Sequence, residues 1–428
     1  MPKKDKKIYL CQNCGNEFAT WSGRCEACGE WDSLKEMTVR DTKLVSRSSD
    51  LVLTDLSSIE LKDSKRTSTG SLEFDRVLGG GVVQGSIILL GGEPGIGKST
   101  LMLQAAAHID DVIYLSAEES ASQIKIRAER LGINSSNIKI ISSGDLEAIE
   151  KEFLKAKPKL LIVDSVQTVY LNSYPSTPGS VMQVRECGIF LQRLAKSSGI
   201  PILLIGHVTK EGNIAGPRIL EHLVDAVLYL EGENFQDARI LRGIKNRFGA
   251  TNEVGIFEIT DRGLVDILNP SKLFLEQRSN KPGSVVAVAL EGNRPLLVEI
   301  QALTNVTNFG YPKRTSSGFD LNRLNILAAV ITRHTNINCS NLDIYINVVG
   351  GLKLKEPAID LAVCMAIISS YKNKTLDNNL CLFGEVGLSG EVRNVVRTNE
   401  REKEAKKLGY RIVAKPKDLN EAILSVFN

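Results

Sequence analysis

The stretch Gly91-Gly92-Glu93-Pro94-Gly95-Ile96-Gly97-Lys98-Ser99-Thr100 limits what this chain can fold into more than any other. From Gly92 to Ser99 it meets G-x-x-x-x-G-K-[ST] at every fixed position. The apolar run Ile87-Ile88-Leu89-Leu90 before it reads as a buried strand, and Leu101-Met102-Leu103-Gln104-Ala105-Ala106-Ala107 behind it reads as a helix. In that setting the loop curls its amides around phosphate oxygens, and the helix N-terminus adds unpaired donors and a favourable dipole. Residues Gly92, Glu93, Pro94, Gly95, Ile96, Gly97, Lys98, Ser99 and Thr100 are therefore expected to cradle a nucleoside triphosphate. Lys98 reaches the β- and γ-phosphates, and the Ser99 hydroxyl holds Mg²⁺.

With 428 residues the chain has room for two well-cored domains and a small module. No apolar run approaches the ~20 residues of a membrane span. The basic start Met1-Pro2-Lys3-Lys4-Asp5-Lys6-Lys7 has no apolar segment behind it, so a secretory signal is not expected and the cytoplasm is the expected compartment. A net charge of +3 neither demands nor excludes a nucleic-acid partner, so such binding must come from local patches.

Four of the eight cysteines lie in Cys11-Gln12-Asn13-Cys14-Gly15 and Cys25-Glu26-Ala27-Cys28-Gly29. Two C-x-x-C-G knuckles at this spacing put four thiolates at the corners of one tetrahedron, which suits Zn²⁺. A redox role for either pair requires a βαβ setting that is missing here. Cys187, Cys339, Cys364 and Cys381 are scattered. Trp21 and Trp31 are expected to form the small core of this module, with an exposed stacking platform for a base as the alternative.

Residues 1–35 thus read as a zinc ribbon, 36–60 as a polar linker, 61–268 as a nucleotide-binding domain and 269–428 as a further domain. Strands are expected at 87–90, 112–115, 138–141, 160–163, 202–205 and 227–230, separated by helix-length stretches such as 120–131 and 180–195. That alternation gives a mostly parallel sheet covered by helices, with ligands at the carboxyl ends of the strands. The last domain is strand-rich at 284–290, 296–301 and 342–349, then helical at 358–369 and 400–408.

Within the nucleotide-binding domain, Leu160-Leu161-Ile162-Val163-Asp164 is an apolar strand ending in a carboxylate, so Asp164 is expected beside Mg²⁺ and Ser99. Hydrolysis needs a group that orients or deprotonates water. Glu118 is the first choice and Glu119 the fallback, both just past the strand that follows the nucleotide-binding helix. His207 either reports on the γ-phosphate or is structural. In Lys245-Asn246-Arg247-Phe248-Gly249, the two cations either reach a neighbouring subunit's nucleotide, bind DNA phosphates, or decorate a solvated turn.

Taken together, these segments resemble the bacterial RadA (Sms) family of DNA-repair proteins nearly end to end. The resemblance rests on the Cys11–Cys28 ribbon running into Gly29-Glu30-Trp31, the Gly91–Thr100 loop and Lys245-Asn246-Arg247-Phe248-Gly249. It implies an α/β, RecA-like P-loop core between a small four-cysteine zinc ribbon and an α+β, Lon-like (S5-type) domain. It also implies an ATP-dependent, DNA-stimulated motor, assembled as a hexameric ring, that acts with RecA on single-stranded DNA and branched recombination intermediates. By this resemblance Lys98 and Ser99 hold ATP and Mg²⁺, Lys245 and Arg247 couple ATP to DNA, and residues 167–183 and 209–218 face DNA.

In the Lon-like domain, Lys355-Glu356-Pro357-Ala358-Ile359-Asp360 matches the catalytic turn with Ala358 at the nucleophile's place, and Asn399 falls where a lysine is needed. Alanine offers no nucleophile, so peptidase activity is not expected. Arg393, Arg397 and Arg401 recur every four residues, giving a basic stripe on one helix face or a salt-bridged surface. The rival functions are a replicative-type DNA helicase and an ATP-driven protein remodelling factor.

Overall fold

The computed structural model describes residues 6–11, 16–39, 55, 57, 66–174, 176–206, 219–232, 238–276, 278–307, 310–413 and 416–427. The chain forms two compact units, one running through Asp266 and the other from Ile267 onward.

The first unit begins with a three-stranded antiparallel sheet, in which β1 (Lys6–Cys11) lies between β2 (Glu17–Phe18) and β3 (Leu34–Val39). β3 thus extends past position 35, into the stretch read as linker. The core of the ribbon is Cys11, Cys25 and Leu34, with the rings of Tyr9 and Phe18 against it. The expectation for the two tryptophans is overturned: Trp21 is 58% and Trp31 69% exposed. So short a sheet encloses space for one leucine and the thiols, and the bulkier indoles lie outside it. The guanidinium of Arg24 sits 5.7 Å from the Trp31 ring centroid.

A small hairpin of β4 (Arg66–Thr67) and β5 (Val82–Val83) encloses α1 (Leu72–Leu78). There follow β6 (Ile87–Gly92), α2 (Lys98–His108), β7 (Val112–Ser116), α3 (Ala121–Arg130), β8 (Ile138–Ile141), α4 (Leu146–Ala156) and β9 (Leu160–Asp164). Next come α5 (Val181–Ser198), β10 (Ile202–Ile205), α6 (Ile219–Leu223), β11 (Ala226–Glu231), β12 (Ala238–Asn246), β13 (Val254–Thr260) and β14 (Gly263–Asp266). The main sheet has the order β14-β13-β12-β11-β6-β10-β9-β7-β8. Its six strands from β11 to β8 are parallel, and they are the six expected from the apolar runs.

Strand residues alternate between two cores, which is why these runs are apolar at every position. Ile88, Leu90, Leu160 and Ile162 pack with α1, α2 and α3, whereas Ile87, Leu89, Leu161 and Val163 pack with α4, α5 and α6. The antiparallel strands β12, β13 and β14 extend one edge. The side chain of Asp266, at the end of β14, accepts from the Ser71 hydroxyl at 2.6 Å and the Leu72 amide at 2.6 Å, and so caps α1.

The second unit comprises α7 (Pro270–Leu275), β15 (Ser284–Glu291), β16 (Arg294–Val306), β17 (Arg314–Ser317), α8 (Leu321–His334), β18 (Leu342–Val348) and α9 (Asp360–Lys372). It continues with β19 (Leu380–Leu382), β20 (Glu385–Val386), β21 (Val392–Arg393), α10 (Thr398–Lys407), β22 (Arg411–Ile412) and α11 (Leu419–Phe427). Its sheet runs β17-β18-β16-β15-β19-β22, with β20 and β21 as a separate hairpin. Residues Asp360 to Ser369 of α9 are all buried, so this helix is the core on which the sheet closes. Asp360 is tied to Arg323 of α8 through both guanidinium Nε and Nη2, and it also accepts from the Val386 amide.

The arginine stripe is not formed. Arg393 ends β21, Arg397 has φ 54° ahead of α10, and only Arg401 is helical. Arg401 is fully buried; it donates to the Val288 carbonyl at 2.6 Å and pairs with Glu356. The partly buried Glu356 carboxylate and the Val288 carbonyl hold that guanidinium inward, away from the surface the stripe requires. Ala358 lies in one 3₁₀ turn (Pro357–Ile359), and Asn399 lies in the first turn of α10.

Candidate active site and metal centre

β6 delivers the chain to Gly92, and α2 begins at Lys98, so the loop between them sits at the carboxyl end of a central parallel strand. A Cβ on Gly92 would lie 2.6 Å from the Leu230 carbonyl oxygen of β11, so only glycine lets the loop turn there. At Gly95 (φ 78°) a Cβ would point into open space, where the loop faces outward. The α2 N-cap, Gly97, supplies no side-chain acceptor for the first helical amides. Lys98 is buried and folds back, its Nζ donating to the Gly92 and Glu93 carbonyls at 2.9 Å each. Burial lowers the pKa of this ammonium, and the negative charges of Asp164 and Glu118 oppose that shift. A buried cation beside unpaired helix amides is the donor set that phosphate oxygens satisfy.

β7 and β9 are adjacent and parallel, with Ser116 opposite Asp164. The buried Tyr114 phenol donates to Asp164 Oδ2 at 2.6 Å. Ser99, the second residue of α2, supplies the hydroxyl and Asp164 the carboxylate suited to Mg²⁺. The peptide after Asp164 is cis.

Sequence alone left Glu118 and Glu119 as alternatives, and their environments differ. Glu119 forms an ion pair with Arg127 of α3, and its amide donates to Ser116 Oγ at 3.1 Å. Glu118 Oε1 accepts from the Ser165 hydroxyl at 2.6 Å, and its charge, with that of Asp164, acts on Lys98. The fold thus gathers Lys98, Asp164 and Glu118, and turns Glu119 toward α3. Sequence reading missed Tyr114 and Ser165. A tyrosine in an aliphatic buried strand is a signal that its hydroxyl has a partner nearby.

Two clefts flank the loop. One of about 450 Å³ is lined by Gly92, Glu93, Ile96, Tyr229, Glu231 and Ile244. The other, of about 500 Å³, is lined by Gly95, Gly97, Thr100, Arg130, Asp261 and Gly263.

Lys245 and Asn246 are the last residues of β12 rather than part of the turn after it. The Lys245 ammonium donates to the Glu221, His222 and Val224 carbonyls at 2.7, 3.4 and 2.8 Å, closing the end of α6. Burial lowers its pKa, and the neighbouring Arg247 charge adds to that effect. Arg247 has a half-exposed side chain, 3.3 Å from Asp225, whose other carboxylate oxygen accepts from the Ile87 amide at 3.1 Å. Of the two cations, Arg247 is the one placed to reach outward.

The segment 167–183 follows β9. Buried Gln183 clamps it, accepting from the Leu171 amide and donating to the Leu171, Tyr174 and Ser176 carbonyls. His207 and residues 209–218 lie outside the described residues.

The Sγ atoms of Cys11, Cys25 and Cys28 all lie within 4.8 Å of one another. Cys11 and Cys28 are 3.7 Å apart, close to the ~3.8 Å edge of a tetrahedron with Zn–S of about 2.3 Å. The three thiolates therefore fit Zn²⁺. Cys14, the expected fourth ligand, lies outside the described residues. Gly29, at φ 77°, makes the turn after the second knuckle.

Among the described residues, no helix is long and apolar enough to cross a membrane. Three family models match: AAA domain over residues 59–213, rubredoxin metal binding domain over 9–36, and subunit ChlI of Mg-chelatase over 320–418. The chain is 49% identical to DNA repair protein RadA of Bacillus subtilis (strain 168), covering 95% of this chain and 92% of that one. It is 47% identical to DNA repair protein RadA of Listeria monocytogenes, covering 96% and 92%. The solved KaiC-like protein PH0186 from Pyrococcus horikoshii OT3 is similar at 20% identity and a TM-score of 0.40, over 48% of this chain and 99% of that one. With a zinc ribbon, an ATPase core that uses ATP and Mg²⁺, and a ChlI/Lon-like C-terminal domain, the chain belongs to the RadA family of DNA repair proteins.

Proposed function

We propose that this chain is a cytoplasmic, DNA-stimulated motor that extends strand exchange or migrates branches in recombination intermediates, working with RecA as a hexameric ring. The observation that carries this reading is the position of Ser165. It joins Asp164 to the segment 167–183, so the chain that would touch DNA begins beside the carboxylates that would act on ATP.

In this reading Gly92 to Thr100 hold the triphosphate, and Lys98 neutralises charge on the β- and γ-phosphates. Ser99 and Asp164 would hold Mg²⁺, which supplies charge neutralisation at the transferred phosphate. Glu118 orients the attacking water and accepts its proton. Arg247 reaches the neighbouring subunit's nucleotide and stabilises charge that develops there. Lys245 supports it by fixing the end of β12 against α6. Cys11, Cys14, Cys25 and Cys28 hold Zn²⁺. The domain running from residue 269 to 428 acts as a scaffold without peptidase chemistry, because Ala358 offers no nucleophile.

The test is movement on DNA. The purified protein with ATP should extend branches on recombining three-strand substrates faster than it separates plain forked duplexes. The reverse preference would make it a replicative-type helicase. Turnover stimulated by unfolded protein but not by DNA would make it a protein remodelling factor.

A further inference from the structure

We propose that Ser165 is a positioning residue for ATP hydrolysis, aiming Glu118 and tying that aim to the segment leading to α5. The inference rests on Glu118 acting as the residue that orients water.

Ser165 is completely buried, while Glu118 lies exposed at the end of a different strand, after β7. A single hydrogen bond of 2.6 Å joins them, donated by the serine hydroxyl to Glu118 Oε1. That bond restrains one oxygen of the Glu118 carboxylate at a set direction from the turn after β9. A base that orients water depends on that direction, since reacting atoms must approach within about 3–3.5 Å.

Ser165 is itself held on several sides. Its amide donates to Thr168 Oγ1 at 3.3 Å. Its carbonyl accepts from the Thr168 hydroxyl at 2.9 Å and the Thr168 amide at 3.1 Å. The next amide, of Val166, donates to the Ile205 carbonyl at the tip of β10. The hydroxyl is thus a fixed pointer mounted on a closed turn. Beyond that turn the chain pairs Tyr170 with Asp145 and is clamped by Gln183. A ligand that shifts residues 167–176 pulls on the turn, and through Ser165 it moves the Glu118 carboxylate. Tyr114 serves Asp164 in the same way, but from within the sheet and with no link to this segment.

The test is a set of full-length variants, S165A, S165T, E118Q and S165A/E118Q, assayed for kcat and KM with ATP in the presence of single-stranded DNA. Binding of a non-hydrolysable ATP analogue reports on folding and on the site. S165A should lower kcat about 10- to 100-fold while KM and analogue binding hold. S165T, which keeps the hydroxyl, should recover most of the loss. In the E118Q background S165A should have no further effect, because the two residues act as a unit. Wild-type kcat in S165A beside an inactive E118Q overturns the proposal and leaves the role of Glu118 standing. An S165A loss of equal size in the E118Q background also overturns it, since that loss is structural. Wild-type turnover in E118Q removes the base assignment, and this inference with it.

Discussion

The phenol of Tyr114 donates to Oδ2 of Asp164 at 2.6 Å, from one parallel strand to its neighbour. Burial, and then the negative charge of Asp164, push the Tyr114 pKa well above its ordinary value. The phenol therefore remains a donor across the working pH range. Y114F leaves a buried carboxylate oxygen one partner short and should cost about 1–3 kcal/mol of stability. It should also raise the Mg²⁺ concentration needed for half-maximal turnover. A wild-type urea midpoint and unchanged Mg²⁺ dependence would contradict this.

Lys98 carries a charge that burial disfavours. K98A should lower ATP turnover at least about 100-fold, as removal of preorganised charge does elsewhere. The pH dependence has a definite sign. Phosphate favours the ammonium, so ATP affinity is full below the lowered Lys98 pKa and falls as pH rises through it. Stability of the ligand-free protein changes oppositely in the window up to 10.5, because there the unfolded chain binds more protons. Calorimetry at several alkaline pH values measures both. ATP affinity that stays flat across that range would remove Lys98 from the phosphate site.

Arg247 and Lys245 should separate experimentally. R247A removes a half-exposed guanidinium and should keep nucleotide binding while losing stimulation by DNA. K245M strips three carbonyls of their donor and should lower the stability of the core by about 1–3 kcal/mol. A DNA response unchanged in R247A would refute its coupling role.

In the second unit, the fully buried Arg401 pairs with the partly buried Glu356. R401M takes the guanidinium from Glu356, which keeps the Leu290 amide, and should cost about 1–3 kcal/mol. R401M/E356Q should recover part of that loss. Equal stabilities for the single and double variants, measured by denaturant unfolding, would show that the pair is not coupled.

C25S removes a buried ligand from the ribbon. Zinc content should fall while the ATPase core keeps its unfolding transition, because structural zinc supplies the folding energy of so small a module. Both tryptophans of the chain lie in the ribbon, so tryptophan emission reports its loss separately from the core. Full zinc occupancy in C25S would contradict the ligand set.

How far the sequence could be read depended on the range of the interactions involved. The six parallel strands were legible because burial on both faces makes each a continuous aliphatic run. β12 is mostly half-buried and carries charge, so the antiparallel edge gave a weaker signal. The helix Leu321–His334 went unseen between strands, although Asp320 caps it by accepting from the Arg323 amide at 2.7 Å. Glu118 and Glu119 are neighbours in sequence, and their partners Ser165 and Arg127 tell them apart. Ser165 lies 47 residues from Glu118, a distance that no local pattern spans. The ribbon tryptophans and Arg401 went against expectation for different reasons: the short sheet leaves the indoles outside, and the Val288 carbonyl and Glu356 hold the Arg401 guanidinium inside.

Coupling of ATP hydrolysis to DNA is the central claim, and steady-state ATP turnover with and without single-stranded DNA over a salt series tests it most directly. Stimulation that fades as salt rises is the expected result, because phosphate contacts release counterions. Basal turnover with no response to DNA at any salt concentration would contradict it.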